Sequence, residues 1–221
     1  MQHREKIKYV IISKMQTYSQ LGQDLACLAH YNHVRGGYFV EIGASDGMEL
    51  SNTYLLEKEY GWRGVCVEPI PDKFDALKQN RPGSVCVDRA VYHTSGETLD
   101  FFVCFTCSLL SGIPQHLNLQ KQTVLASHTA IRVTTVTLLD LLRDAGAPRF
   151  IEYLSLDTEG SEYEILRGFD FSQYTFGRID VEHNYCEPTR TNIRNLLEAH
   201  GYIFVAQNHW DDTYVCPKPP S

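Results

Sequence analysis

Short apolar runs alternate with helical stretches along most of this chain, and the first run leads into a glycine-containing loop. Tyr38 to Ile42 reads as a strand, followed at once by Gly43-Ala44-Ser45-Asp46-Gly47. Strands of the same kind are expected at Gly64-Val65-Cys66-Val67-Glu68, Ser84 to Val87, Ile151 to Leu156 and Arg178 to Glu182. Between them the spacing predicts helices from Leu50 to Tyr60, Asp72 to Gln79, Glu162 to Arg167 and Thr189 to His200, three of them followed directly by a glycine. A further helix is expected before the first strand, capped by Ser19 and stopped by Gly36-Gly37. Tyr202 to Val205 and Thr213 to Cys216 suit a terminal antiparallel pair. Apolar strands separated by helices are the mark of a mostly parallel sheet buried on both faces, an α/β fold.

The alternation lapses between Glu97 and Thr137, where Leu99 to Val103 and Val133 to Val136 suggest strands around a polar stretch from Ser108 to Gln122. This is read as a β-rich insert (97–137) in one domain spanning 19–216, with an N-terminal extension (1–18) and a short tail (217–221). At 221 residues one such domain is the expectation. The formal net charge of −7 works against a nucleic-acid partner, because such binders neutralise phosphates with a basic face. A small-molecule acceptor, a sugar among them, suits the balance better. Seven cysteines, several inside apolar runs, suggest buried free thiols and a reducing compartment. Cys104 and Cys107 form a CxxC without a second pair to complete a zinc site. No segment reaches the ~18 apolar residues of a membrane span, and Tyr9-Val10-Ile11-Ile12 is too short for a signal peptide. The expectation is a cytoplasmic protein without a membrane partner.

The residues that carry chemistry cluster at predicted strand ends. Glu41-Ile42-Gly43-Ala44-Ser45-Asp46-Gly47 places bare backbone at the mouth of an open sheet, where ligands bind. Its Gly-x-x-x-Gly spacing is not the Gly-x-Gly-x-x-Gly of dinucleotide binders, and no Gly-x-x-x-x-Gly-Lys phosphate loop is present. Glu68, ending the second strand, can accept hydrogen bonds from both hydroxyls of a ribose. The two features together point to an adenosine-type ligand. Asp157 and Glu182-His183-Asn184 stand at the ends of two later strands.

In this order the motifs resemble the FkbM family of methyltransferases. The resemblance rests on Ser19-Gln20-Leu21-Gly22-Gln23-Asp24, Phe39 to Gly47, Leu50-Ser51-Asn52-Thr53, Gly64 to Pro69, and Leu154-Ser155-Leu156-Asp157-Thr158-Glu159-Gly160-Ser161-Glu162, and it covers about residues 19 to 207. Ser45 stands where family members typically carry Asn. The resemblance implies a Rossmann-like class I fold with a seven-stranded sheet, S-adenosyl-L-methionine as cofactor, and O-methyl transfer. Glu41, Gly43, Ala44, Ser45 and Gly47 would line the methionine side and Glu68 with Pro69 the ribose. Asp88, Arg89 and Ala90 would lie near the adenine, and Asp157 would face the methionine amine or the reaction centre.

Methyl transfer to an alcohol needs help in removing the hydroxyl proton. Two arrangements are expected. In one, His183 is the general base, since an unperturbed imidazole titrates near ~6.5. In the other, Asp157 and Glu182, with His183 or Asn184, hold a Mg²⁺-like ion that acidifies the acceptor. Gln20, Gln23 and Asp24 are candidates for a lid, and Glu159 is a candidate either for a contact with the site or for an acid favoured by the helix dipole. Rival readings are an RNA or cap 2′-O-methyltransferase, a non-catalytic adenosylmethionine-binding domain, and an NAD-dependent oxidoreductase. Homo-oligomers occur among such enzymes, but no surface argument from the sequence requires one.

Overall fold

The computed structural model describes residues 16–117 and 121–217, so all but the last residues of the expected N-terminal extension and the first of the tail lie outside the described residues. Seven strands make the main sheet: β1 (Tyr38–Ile42), β2 (Arg63–Val67), β3 (Val85–Val87), β7 (Phe150–Leu156), β8 (Thr175–Glu182), β9 (Ile203–Asn208) and β10 (Asp211–Val215). Their order is β3-β2-β1-β7-β8-β10-β9. The pairs from β3 to β8 are parallel, and β10 runs antiparallel to both β8 and β9. This is the Rossmann-like α/β arrangement expected. Strand order reverses between β1 and β7, which places a crevice at the carboxyl ends of those two strands.

Alternate side chains of each central strand enter two separate cores. Val40, Ile42, Val65, Val67, Leu154 and Leu156 pack on α5 (Leu138–Asp144), α6 (Glu162–Arg167) and α7 (Thr189–Ala199). On the other face Phe39, Cys66 and Tyr153 meet α1 (Gln23–His30), α2 (Tyr54–Tyr60) and α3 (Pro71–Asn80), with Trp62 between them. Full burial of such side chains contributes about 1.5–3 kcal/mol each. Gly37 is required here, since a Cβ would lie 2.8 Å from the Trp62 ring.

Three helix boundaries differ from expectation by more than one residue. Ser19 is not a helix cap: α1 begins after Gly22 in a left-handed conformation, and the Ser19 hydroxyl donates to Asp24 instead. The same helix ends at His30, ahead of Gly36-Gly37, because Asn32 and His33 take positive φ and turn the chain early. The second helix starts at Tyr54 rather than Leu50, because residues 51–53 are drawn inward onto Glu41.

The insert is a small sheet of its own. β4 (Ala90–Val91) pairs parallel to β6 (His128–Val136), which pairs antiparallel to β5 (Thr98–Cys104). Its loop adds a 3₁₀ turn at Ser108–Leu110 and α4 (Lys121–Ala126), neither of which the sequence suggested. All seven cysteines are free. No helix among the described residues is long and apolar enough to cross a membrane.

Because Glu41 shares the Phe39 face, its carboxylate enters the molecule, and a cation must meet it there. Arg81, fully buried after α3, supplies one. Its Nη1 lies 3.2 Å from Glu41 Oε2 and its Nε 2.8 Å from Glu57 Oε2. It also donates to the Gly47 carbonyl at 3.1 Å and the Thr53 hydroxyl at 2.8 Å. Removing this cation leaves two buried carboxylates unmatched. Arg81→Ala is therefore expected to lower stability by about 3–5 kcal/mol, measured by denaturant unfolding of the ligand-free protein.

Candidate functional site

The crevice at the strand-order reversal is a cleft of about 330 Å³, within the span of small-ligand sites, roughly 300–1,000 Å³. The β1 loop forms its floor. Gly43 turns there with φ 85°, its N–H donates to the Val67 carbonyl, and a Cβ would sit 1.9 Å from the Asp157 carbonyl oxygen. Only glycine permits that approach, so the loop lies directly against the end of β7. Ala44 and Ser45 also line the cleft, and the Ser45 N–H donates to Glu68 Oε2 at 3.0 Å. Gly47 does not line it. That residue faces the side chains of Leu77 and Arg81, where a Cβ would clash, so its role is to let the loop pack inward. Glu41 borders the cleft, but its carboxylate is held by Ser51, Asn52, Thr53 and Arg81. It shapes the loop, where a ligand contact was expected.

Glu68 has the position the sequence suggested. Its carboxylate is buried beside Pro69 and accepts from the N–H groups of Ser45 and Ile70, at 3.0 and 2.8 Å. Burial pushes it up to about 7, against the pull of those two bonds and of Lys73. Each oxygen keeps a lone pair for a further donor, as a ribose diol would provide. Next to it Ala90, Val91, Ile70, Phe101 and Ile113 make an apolar slot wide enough to be lined from both β4 and the insert. Arg89 borders this slot, whereas Asp88 is exposed, pairs with Arg89 and takes no part in the lining. The insert therefore covers the apolar end of the cleft, and at Ser111 and Gly112 it reaches Thr158 and Glu159.

The opposite end is acidic. Asp157, Glu159 and Glu182 each offer a carboxylate oxygen, and these lie within 4.8 Å of one another. Asn184, at φ 46°, donates its amide to Glu182 Oε2 at 2.7 Å and to Glu159 Oε2 at 3.2 Å. Loss of water pushes Asp157 up to about 7, with Asp211 and Glu162 adding to it and a hydrogen bond to Glu182 opposing it. Loss of water, then Asp157 and Glu162, push Glu159 up to about 9. Glu182 is raised by burial and by Asp157 and Glu159. Glu162 holds the loop from behind, accepting from Thr158 N, Thr158 Oγ1 and Gly160 N.

His183 is not at the cleft. Its ring is 4 % exposed and points into the protein, where Nδ1 accepts from the Tyr185 N–H and Nε2 lies 3.4 Å from Asp212 Oδ1. Side chains alternate along a strand, so a neighbour of the inward-facing Glu182 turns away from it. Asp212 is also bound by Arg190 and Arg194; burial raises its carboxyl, but the close approach of His183 and the bonds from Arg190 outweigh that and hold it well below the usual range. His183 is thus an anchor for the turn after β8 and not a base in contact with ligand. Of the expected lid, Gln20 and Gln23 line the cleft, and Gln23 donates to Asp211 at 2.7 Å. Asp24 does not; it is fully buried and gathers Thr17, Tyr18 and Ser19. Trp210 and Asp211 also line the cleft.

The family model described as methyltransferase FkbM domain matches residues 41–204. No curated protein matches the sequence. Among solved structures the chain is similar to precorrin-6y C5,15-methyltransferase from Geobacter metallireducens, at 12% identity over 92% of this chain and 94% of that one, with a TM-score of 0.48. It is also similar to a TehB-like SAM-dependent methyltransferase from Corynebacterium glutamicum, at 9% identity over 97% and 96%, TM-score 0.46. The N-terminal domain of human METTL16 matches at 12% identity over 91% and 70%, TM-score 0.47.

The acidic end makes ligand-free stability depend on pH in a defined direction. A carboxyl raised in the folded state keeps a proton that the unfolded chain releases above about 4.5, so its contribution to stability falls as pH rises from there to its folded value. For Glu159 that window extends up to about 9. Glu159→Gln in chelator-treated, ligand-free protein is expected to melt above wild type at pH 8 and close to it at pH 5. Thermal melts check this, with about 2–4 °C for each kcal/mol in a chain of this size.

Proposed function

This chain belongs to the FkbM family of S-adenosylmethionine-dependent methyltransferases, and we propose that it methylates the hydroxyl oxygen of a small acceptor such as a sugar. The residues present fit the cofactor. Glu68 offers two buried oxygens to a diol, the slot at Val91, Phe101 and Ile113 is apolar, and the far end is lined by carboxyl groups where a sulfonium and an ammonium carry positive charge. The bound cofactor supplies an electrophilic methyl group, and the protein supplies position and proton handling.

The observation that carries the reading is the carboxyl group at the end of β7 with its neighbour on β8. The Asp157 and Glu182 carboxylates have oxygens within 4.8 Å of each other, and loss of water pushes Asp157 up to about 7. A carboxyl poised near neutrality is matched to general-base work. When bound, the cofactor would supply the methyl carbon, with its sulfur taking the electron pair of the broken carbon–sulfur bond, and the acceptor's hydroxyl proton would pass to the ionised carboxylate of the Asp157–Glu182 pair. Asn184, which donates to both Glu182 and Glu159, holds Glu182 in place for this. The lining favours a small uncharged acceptor over RNA: among the described residues Lys73 and Arg89 are its basic groups against the carboxyl groups of Glu41, Glu49, Glu68, Asp157, Glu159, Glu182 and Asp211, and Arg89 is paired with Asp88. Polyanion binding needs the opposite balance.

A second reading is favoured by the trio of carboxylates within 4.8 Å. Oxygen donors at that separation suit a divalent cation such as Mg²⁺, held by Asp157, Glu159 and Glu182, which would acidify the acceptor hydroxyl.

A labelled-methyl screen over hydroxylated small molecules should reveal turnover, and Glu182→Gln should lower it by about 10²-fold or more with S-adenosylhomocysteine affinity held within a few-fold. No methyl transfer to any hydroxyl, with cofactor bound, would make the chain a binding domain or an enzyme for another acceptor. Under the base reading turnover persists after exhaustive EDTA treatment; loss that Mg²⁺ restores would establish the metal reading in its place.

A further inference from the structure

Residues 51–53, part of the Leu50-Ser51-Asn52-Thr53 motif, form an irregular segment ahead of α2. Its backbone and side chains serve Glu41, with one exception. The Asn52 N–H donates to Glu41 Oε1 at 2.7 Å, and its side-chain Nδ2 donates to Ser155 Oγ at 2.9 Å. These two bonds fix the amide. Its remaining atom, Oδ1, is buried and has no hydrogen-bond partner among the described residues. Both Asn52 and Ser155 line the cleft. A buried carbonyl oxygen without a donor is unfavourable, and few occur in folded proteins without a reason.

We propose that Asn52 Oδ1 receives the ammonium group of the cofactor's amino-acid half, making Asn52 the residue that distinguishes the whole cofactor from its nucleoside fragment. Position and chemistry support this, on the premise that the cleft binds S-adenosylmethionine. Ser155 pairs with Glu41 across β1 and β7 and lies two residues before Asp157, on the same side of its strand. The Asn52–Ser155 pair therefore sits over the β1–β7 junction. Glu68 follows β2, on the far side of β1. With neighbouring strands about 4.8 Å apart, the two sites are separated on the scale of a nucleoside with an amino-acid chain attached. Glu68 is an acceptor suited to the ribose hydroxyls. At the other end the ligand's carboxylate and sulfonium have no N–H or O–H, so the ammonium is the one group there able to donate to an orphan oxygen. Ser155 acts as the positioning residue that prevents the amide from rotating away.

Calorimetry on the full chain tests this with two probes: S-adenosylhomocysteine, which carries the ammonium, and 5′-methylthioadenosine, which lacks the amino-acid half. Asn52→Ala is expected to weaken the first by about tenfold or more, as for a lost bond to a charged donor, and to leave the second unchanged within twofold. Asn52→Asp, which keeps an acceptor oxygen, should bind S-adenosylhomocysteine within a few-fold of wild type. Equal weakening of both probes by Asn52→Ala, or no weakening of either, overturns the assignment. Wild-type protein that binds neither probe removes the cofactor reading and the assignment with it, which separates that failure from the others.

Discussion

Glu41 and Arg81 meet inside the protein, between the central sheet and the helices on one of its faces, and the architecture of the cleft depends on that meeting. Glu41 lies at the end of the strand that feeds the glycine loop, on the face that also buries Phe39. Its carboxylate collects Ser51, the Asn52 N–H and Thr53, which draws the segment after the loop over the sheet. Arg81 closes the arrangement from α3, bonding the Gly47 carbonyl as well, and its guanidinium stacks 5.1 Å from the Phe39 ring. A charge pair in so dry a place is favourable only when every donor and acceptor is matched, and here the matching groups are the loop itself. The loop's shape and the pair's stability are one constraint.

That constraint leaves the two ends of the cleft free to differ. Beyond β2, Glu68 and the apolar residues of β4 and the insert make a surface suited to a flat nucleoside. Beyond β7 and β8, carboxylates are packed more closely than their charges favour, and the folded protein holds protons that an unfolded chain would lose. A site with those properties has an unsatisfied demand for positive charge or for a proton from an acceptor, and the proposed chemistry supplies both. The polar groups that maintain the crowding come from behind it: Glu162 bonds the 158–160 loop, and His183, clamped by Asp212 and the Tyr185 N–H, holds the turn that carries Asn184.

The fold was legible because apolar runs and glycine stops report local geometry. The strands at Tyr38, Gly64, Ile151 and Arg178 stand within a few residues of expectation, and Glu68, Asp157 and Glu182 reach the cleft because strand ends of a parallel sheet converge. His183 was misplaced because alternation along a strand sends neighbours to opposite sides, so an adjacent acid in the cleft argues against the histidine beside it. Arg81 was not anticipated: in Gln79-Asn80-Arg81-Pro82-Gly83 it resembles any solvated residue after a helix. Asn52 was part of a recognised motif, but only the bond to Ser155 shows that one of its atoms has been left for something else.

Sequence alone determined the class of fold, the order of its elements and the family, since these rest on periodicity, on glycines that backbone geometry demands, and on motifs in fixed succession. Tertiary structure decided which polar residues face a ligand and which face each other. Glu41 and Glu68 stand at nearly the same place on neighbouring strands, yet one carboxylate is consumed by Arg81 and the 51–53 turn while the other keeps lone pairs open to the cleft. That division is set by which partners lie within about 3 Å in space, and those partners are far apart along the chain.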